Sequence, residues 1–108
     1  MWVVSFDPVA VVRGREQAGT RPALILSVNQ FNAGAAGLVT VLPLTSTPRQ
    51  FPTRVVVRPP EGGLLAVSDI IGEQTRTIST GRLVRVLGAV SAQTMTAVEV
   101  VVRTLLGL

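Results

Sequence analysis

A mainly β fold, a small barrel or curled sheet finished by one C-terminal helix, is what this 108-residue sequence predicts. Three features carry the prediction. Short apolar runs recur with turn residues between them, at roughly 8 to 12 residues each. After Ser91 the apolar period changes from that of a strand to that of a helix. Hydrophobic residues make up 47% of the chain, enough for one core at this length, so a single domain over residues 1–108 is expected.

The elements follow in order. Residues 2–6 alternate, with Trp2, Val4 and Phe6 on one face, and Asp7 and Pro8 end that strand. Residues 9–12 are apolar, but the next clear strand starts at Ala23. ALILSV, residues 23–28, suits a strand buried on both faces. QFNAGAAG reads as turn or loop. LVTVLPL, residues 38–44, is a strand in which Pro43 marks an edge or the end of pairing. TSTPRQFP is a polar loop, TRVVVR at 53–58 a strand and PPEGG a tight turn. Residues 65–71 and 75–78 read as strands joined through Gly72, Glu73 and Gln74. LVRVLGAV, residues 83–90, is the last strand. Ser91 can cap a helix, and Met95, Val98, Val102 and Leu105 recur at helical spacing, which predicts a helix over about 92–106. Its valines are β-branched and weaken local propensity, so packing must hold it.

Composition narrows the chemistry. The chain has no Cys, His, Tyr or Lys, all ten basic residues are Arg, and the net charge is +4. Without Cys, a disulfide framework and a thiolate nucleophile are excluded. Without Cys and His, a structural zinc site is not expected, and no metal or cofactor is assigned. Catalysis would rest on Arg, hydroxyls, amides and six carboxylates. Arg matches phosphate geometry, so the charge suits nucleic acid or an acidic protein as well as an ordinary charged surface. The opening MWVVSFDPVAVV lacks the basic start of a signal peptide. No run reaches the roughly 18 apolar residues of a membrane helix. A cytoplasmic protein without a membrane partner is the expectation.

Three polar clusters stand against this apolar background. Arg15, Glu16, Gln17 and Arg21 lie between and beside Gly14 and Gly19, immediately before the most hydrophobic strand. Thr45, Ser46 and Thr47 follow LVTVLPL directly, and Glu73, Gln74, Thr75, Arg76 and Thr77 form the third. Singly, each reads as a solvated loop or turn, with Glu73 and Arg76 a weak ion pair. Together and in order, GREQAGTRPALILS, LPLTSTPRQFPT and GEQTRTISTGRLVRVLGAVS resemble the motifs of the MazF/PemK toxins, endoribonucleases of bacterial type II toxin–antitoxin modules. The resemblance runs over nearly the whole chain. The chain opens on its first strand without the basic-Gly-acidic turn that usually precedes it in the family. Arg15 stands where Ser is common, adding positive charge beside the expected site.

The resemblance implies an SH3-like β-barrel with a C-terminal helix, usually as a homodimer. It implies a sequence-specific, metal-independent endoribonuclease that cuts single-stranded RNA to 2′,3′-cyclic phosphate and 5′-OH ends and so inhibits translation and growth. By that resemblance the catalytic roles fall on Arg21 and Thr45, with Glu16 either the base or the group that orients Arg21. Arg15, Gln17, Ser46, Thr47, Arg49, Phe51, Gln74 and Arg76 are the expected RNA contacts. Phe6 is as readily a core residue as an RNA contact. An acidic MazE-like antitoxin is the implied protein partner. Two rivals remain: a CcdB-like toxin that poisons gyrase and has no need of Arg21 or Thr45, and a non-catalytic SH3-like binding module. One Trp and three Phe count against the module, which would display several aromatics.

Overall fold

The computed structural model describes residues 1–6 and 19–108. Seven strands appear among them: β1 (Trp2–Ser5), β2 (Thr20–Ile25), β3 (Leu38–Thr45), β4 (Arg54–Val57), β5 (Ser68–Ile71), β6 (Arg76–Ser79) and β7 (Leu83–Val86). Two helices complete the chain, a single turn α1 (Asn29–Asn32) and the long α2 (Ala92–Leu106). The strands form one antiparallel sheet in the order β4-β5-β3-β2-β1-β7, with β6 also paired to β3. The ends of this path, β4 and β7, do not pair with each other among the described residues. The hydrogen-bonded ladder is therefore that of a curled sheet, and closure into a barrel is not observed.

Strand alternation sorts the apolar residues into two cores. Leu24, Leu42, Leu44, Val57 and Ile70 pack into one with Met1, Leu64 and Val98. Ala23, Val39 and Val41 point the other way and join Val4 and Ile78. Trp2 and Phe6 pack against this second core, as their alternation with Val4 predicts. The apolar run at Ala23 and Leu24 thus feeds both cores, so β2 is buried on both faces as its sequence requires.

β3 pairs through Thr45, so Pro43 does not end it. Along one part β3 pairs with β6, ending at Val41, and from Leu44 it pairs with β5. Pro43 falls in the interval between these two ladders, where its missing N–H interrupts neither. β2 starts at Thr20 rather than Ala23, because Arg21 and Pro22 pair with Val4 and Val3 of β1. The strand expected over 65–71 is confined to Ser68–Ile71, and Leu65 is 98% exposed. The stretch read as the loop QFNAGAAG begins inside α1, which runs from Asn29 to Asn32, and the last strand stops at Val86.

α2 covers the predicted range. The Ser91 hydroxyl accepts the Thr94 N–H at 3.1 Å, and Gly107 closes the helix in the left-handed region at φ 74°. Glu61 secures the same end from outside, its Oε2 accepting the Ser91 N–H at 2.9 Å and the Thr94 hydroxyl at 2.6 Å. Val98 is buried, with Met95 and Val102 packed beside it on the first core. Burying Val98 alone is worth about 2 kcal/mol, comparable to the propensity that the helix's valines lose.

Gly72 sets the distance between β5, the loop before β4, and α2. Its N–H donates to the Thr53 carbonyl at 2.9 Å. A Cβ there would lie 2.5 Å from that carbonyl oxygen and 2.6 Å from a Val101 methyl. Gly72→Ala is expected to cost about 1–3 kcal/mol of unfolding free energy, the usual range for overpacking. Urea denaturation measures it, and an unchanged midpoint would refute this account of the packing.

Candidate active site

The β2–β3 register pairs Ala23 with Pro43 and Leu24 with Leu42. Carried two residues further, it sets Arg21 opposite Thr45. Both side chains line one open cavity of about 350 Å³, together with Thr47, Arg49, Phe51 and Gln74. Arg54 and Ile71 complete its wall. Among the described residues, three Arg and two Thr side chains therefore line one space, and no Asp or Glu is among them. Such a lining attracts an anion and offers it directional donors.

Arg21 is half-buried at the start of β2. Its guanidinium lies 5.8 Å from the centre of the Phe6 ring, and Arg76 lies 5.0 Å from the same ring. Phe6 thus sits against two cations, and the negative faces of its ring ease their mutual repulsion. Arg76 is exposed on β6 and reaches the site only through this contact. Thr45 Oγ1 accepts the Thr47 N–H at 3.2 Å, which leaves the hydroxyl proton for another acceptor.

The support of the site was not legible as such. Asp69 on β5 is fully buried and lies directly across from Thr45 on β3. Its Oδ2 accepts the Arg49 N–H at 2.8 Å and stands 3.7 Å from Arg54 Nη1. Oδ1 has no hydrogen-bond partner among the described residues. A buried carboxylate costs several kcal/mol unless it is paired, so these contacts are what β5 needs in order to carry an Asp. Arg54 is bound more closely by Glu73, whose Oε2 receives Nε at 3.1 Å and Nη2 at 2.8 Å. The Thr53 hydroxyl donates to the other oxygen of Glu73 at 2.7 Å. Glu73 thus pairs with Arg54, and not with Arg76 as the sequence suggested. The Arg54 hydrogen bonds, with Thr53 assisting against partial burial, hold the Glu73 carboxyl down at about 2. Arg54 is raised in turn, chiefly by the same bonds.

The predicted residues divide as follows. Arg21, Thr45, Thr47, Arg49, Phe51 and Gln74 are brought together in the polar cavity. Ser46 is outside it and lines a second, more apolar cavity of about 440 Å³, which also shares Arg21 and Thr45. Arg15, Glu16 and Gln17 lie outside the described residues. Arg54 and Asp69 were missed. The available signal was Asp69 itself, a lone carboxylate in the apolar run SDII, which demands a buried partner. Among the described residues no three acidic side chains gather as a metal-binding group. No helix among them is long and apolar enough to cross a membrane.

Comparison with known proteins gives this site its context. A family model described as "PemK-like, MazF-like toxin of type II toxin-antitoxin system" matches residues 1–106. The chain belongs to the PemK/MazF toxin family. This is the family that the three sequence motifs resemble. The chain is 37% identical over 97 residues to Endoribonuclease MazF9 of Mycobacterium tuberculosis, covering 85% of this chain and 80% of that protein. It is 36% identical over 69 residues to the endoribonuclease toxin MazF of Escherichia coli, covering 64% of this chain and 58% of that one. In structure it is similar to M. tuberculosis toxin MazF-mt6, with a TM-score of 0.79 at 25% identity over 100% of this chain and 98% of that one. A mycobacterial endoribonuclease solved with its cognate antitoxin aligns with a TM-score of 0.75 at 29% identity, over 99% and 92% of the two chains.

The Glu73 contacts make a prediction about acid stability. A carboxyl held near 2, against an ordinary 4.5, contributes stability that is complete above about pH 4.5 and is lost as pH falls through about 2. Glu73→Gln should lower the thermal midpoint at neutral pH and flatten the decline from about pH 5 to about pH 2. Glu61, lowered by the Thr94 hydroxyl and the Ser91 N–H, leaves a residual slope of the same sign. Circular dichroism melts across that range test this. A variant with the wild-type midpoint and slope would show that the pair does not matter to stability.

Proposed function

We propose that this chain is the endoribonuclease toxin of a type II toxin–antitoxin module, cutting single-stranded RNA in a sequence-specific, metal-independent reaction. The observation that carries the reading is the convergence of Arg21 and Thr45 in one basic cavity. The names of the relatives support it, as does the family. Its effect is to inhibit translation and growth, and an RNA target puts its work in the cytoplasm.

RNA supplies its own nucleophile. A 2′-hydroxyl attacks the adjacent phosphate, the new 2′-O–P bond forms and the P–O5′ bond breaks. The products are a 2′,3′-cyclic phosphate and a 5′-OH end. The 2′-OH proton goes to a base and the leaving 5′ oxygen takes a proton up. In this reading Arg21 spans two phosphate oxygens with its planar fork and stabilises the charge that builds up on them. Thr45 donates its hydroxyl proton to the same group. A guanidinium is a poor base, so Glu16, in the same motif, either takes the proton or orients Arg21. Thr47, Arg49, Phe51 and Gln74 line the path of the flanking nucleotides, with Arg15, Gln17, Ser46 and Arg76 as outer contacts. A gyrase poison has no use for this convergence.

The assembly we infer is a homodimer bound by an acidic MazE-like antitoxin. Supporting the dimer, β7 ends the sheet with Val84 and Val86 57% and 60% exposed, and Leu65 is exposed as well. Supporting an acidic partner, three Arg side chains line the cavity among the described residues. An SH3-like barrel remains part of the reading because β3 passes from β6 to β5 along its length, as a strand shared between two curved layers does.

Arg21→Ala and Thr45→Ala should each lower cleavage of single-stranded RNA by about a hundredfold or more while the fold is retained. Arg21→Lys should also be impaired, since Lys lacks the bidentate fork. Either alanine variant cutting at the wild-type rate would remove the basis of the proposal. Cleavage should continue in EDTA and leave a cyclic phosphate, read by mass spectrometry of the fragments. Strict dependence on a divalent ion, or 3′-OH ends, would contradict it. Light scattering should give a dimer, and an acidic antitoxin should compete with RNA and bind more weakly as salt rises.

A further inference from the structure

Phe51 is an aromatic ring 47% exposed in an otherwise polar loop. One face lies over the Arg54 guanidinium, whose central carbon is 4.7 Å from the ring centre. Arg54 itself is only 11% exposed, and its nitrogens are engaged by Glu73 at 3.1 and 2.8 Å and by Asp69 at 3.7 Å. Its Nε and Nη2 are hydrogen-bonded to Glu73 and its Nη1 is ion-paired with Asp69, so its charge is balanced within the protein. The same carboxylates pin the chain on both sides of Phe51. Asp69 takes the Arg49 N–H and Glu73 takes the Thr53 hydroxyl. An exposed ring with a fixed cation beneath it and a tethered backbone on either side is a rigid surface, open to the cavity that Arg21 and Thr45 also line.

Resting on the endoribonuclease reading, we propose that Arg54, clamped by Glu73 and Asp69, is a positioning residue that fixes the Phe51 ring as a stacking platform for one unpaired RNA base. Single-stranded RNA is recognised largely by stacking of splayed bases on aromatic side chains. A base on the outer face of Phe51 completes a stack of base, ring and guanidinium. Pre-ordering of the ring removes the entropy cost of fixing it on binding. The subsite should therefore act on binding of substrate rather than on the chemical step.

The test uses full-length protein and a short single-stranded RNA that it cuts, intact and with each nucleotide in turn made abasic. Phe51→Leu should raise KM about tenfold with little change in kcat. Phe51→Trp should keep the wild-type KM. One abasic position should raise the wild-type KM by a similar factor, and on that RNA Phe51→Leu should have no further effect. Arg54→Met should raise KM on intact RNA and lose its effect on the same abasic RNA, which a general folding defect would not do. Should Arg54→Met fail to fold, Glu73→Gln loosens the same clamp and should behave alike. The proposal is overturned if Phe51→Leu keeps the wild-type KM, if the losses fall on kcat alone, or if they persist on every abasic RNA. If wild-type protein cuts RNA and these variants match it, only the platform fails. If wild-type protein neither binds nor cuts single-stranded RNA, the endoribonuclease reading fails with it.

Discussion

A strand that serves three partners has to change one of them part-way along, and β3 does this at Pro43. From Leu38 to Val41 it pairs with β6, and from Leu44 to Thr45 with β5, while β2 holds the other side at Val41 to Pro43. Its alternation sends Val39 and Val41 into one core and Leu42 and Leu44 into the other. Both cores therefore depend on the register of this strand, because a slip of one residue would exchange every side chain between them. The end of β3 inherits that rigidity. Thr45 is its last residue, paired with Asp69 of β5 and lining the same cavity as Arg21. A hydroxyl at the end of the most constrained strand is held to the tolerance that a site needs, which a loop residue would not be.

The cavity shows how a small fold keeps several like charges together. Arg21 shares the Phe6 ring with Arg76, Arg54 is neutralised from behind by Glu73 and Asp69, and Arg49 is held through its backbone. The carboxylates stand outside the lining, so they lower the energy of the assembled cations without occupying the space they face. The short 2.8 Å contact to Glu73 carries more of this than the 3.7 Å contact to Asp69. Asp69 matters instead because it is buried. A carboxylate with one oxygen lacking a partner tolerates little further loss of its contacts, so the loop from Ser46 to Thr53 is tied to the sheet at Arg49 as firmly as the burial of Asp69 is costly.

Legibility in the sequence followed how local the cause was. α2 was readable over its full length because the Ser91 cap and the spacing of Met95, Val98, Val102 and Leu105 are local signals. β2 was read three residues late at both ends, over 23–28 against Thr20–Ile25, because polar Thr20 and Arg21 become strand only by pairing with β1. The stretch from Leu65 to Val67 looked like strand because it is apolar, yet it pairs with no strand among the described residues. Among the residues lining the cavity, Arg21, Thr45, Thr47, Arg49, Phe51 and Gln74 were legible through motifs. Arg54 and Asp69 were not, because TRVVVR and SDII each read as an ordinary strand. Their pairing arises only when β4 and β5 align Arg54 with Ile71 and Val56 with Asp69.

Arg21 and Thr45 also border the second, more apolar cavity, which reaches Leu64 and Leu65. The two spaces therefore share their most constrained side chains. Whatever fills the apolar one packs against Pro22 and Leu44, the neighbours of Arg21 and Thr45 in β2 and β3. Pro22 precedes Ala23 in β2 and Leu44 precedes Thr45 in β3, so the strand pair that feeds both cores also supplies a wall to each cavity.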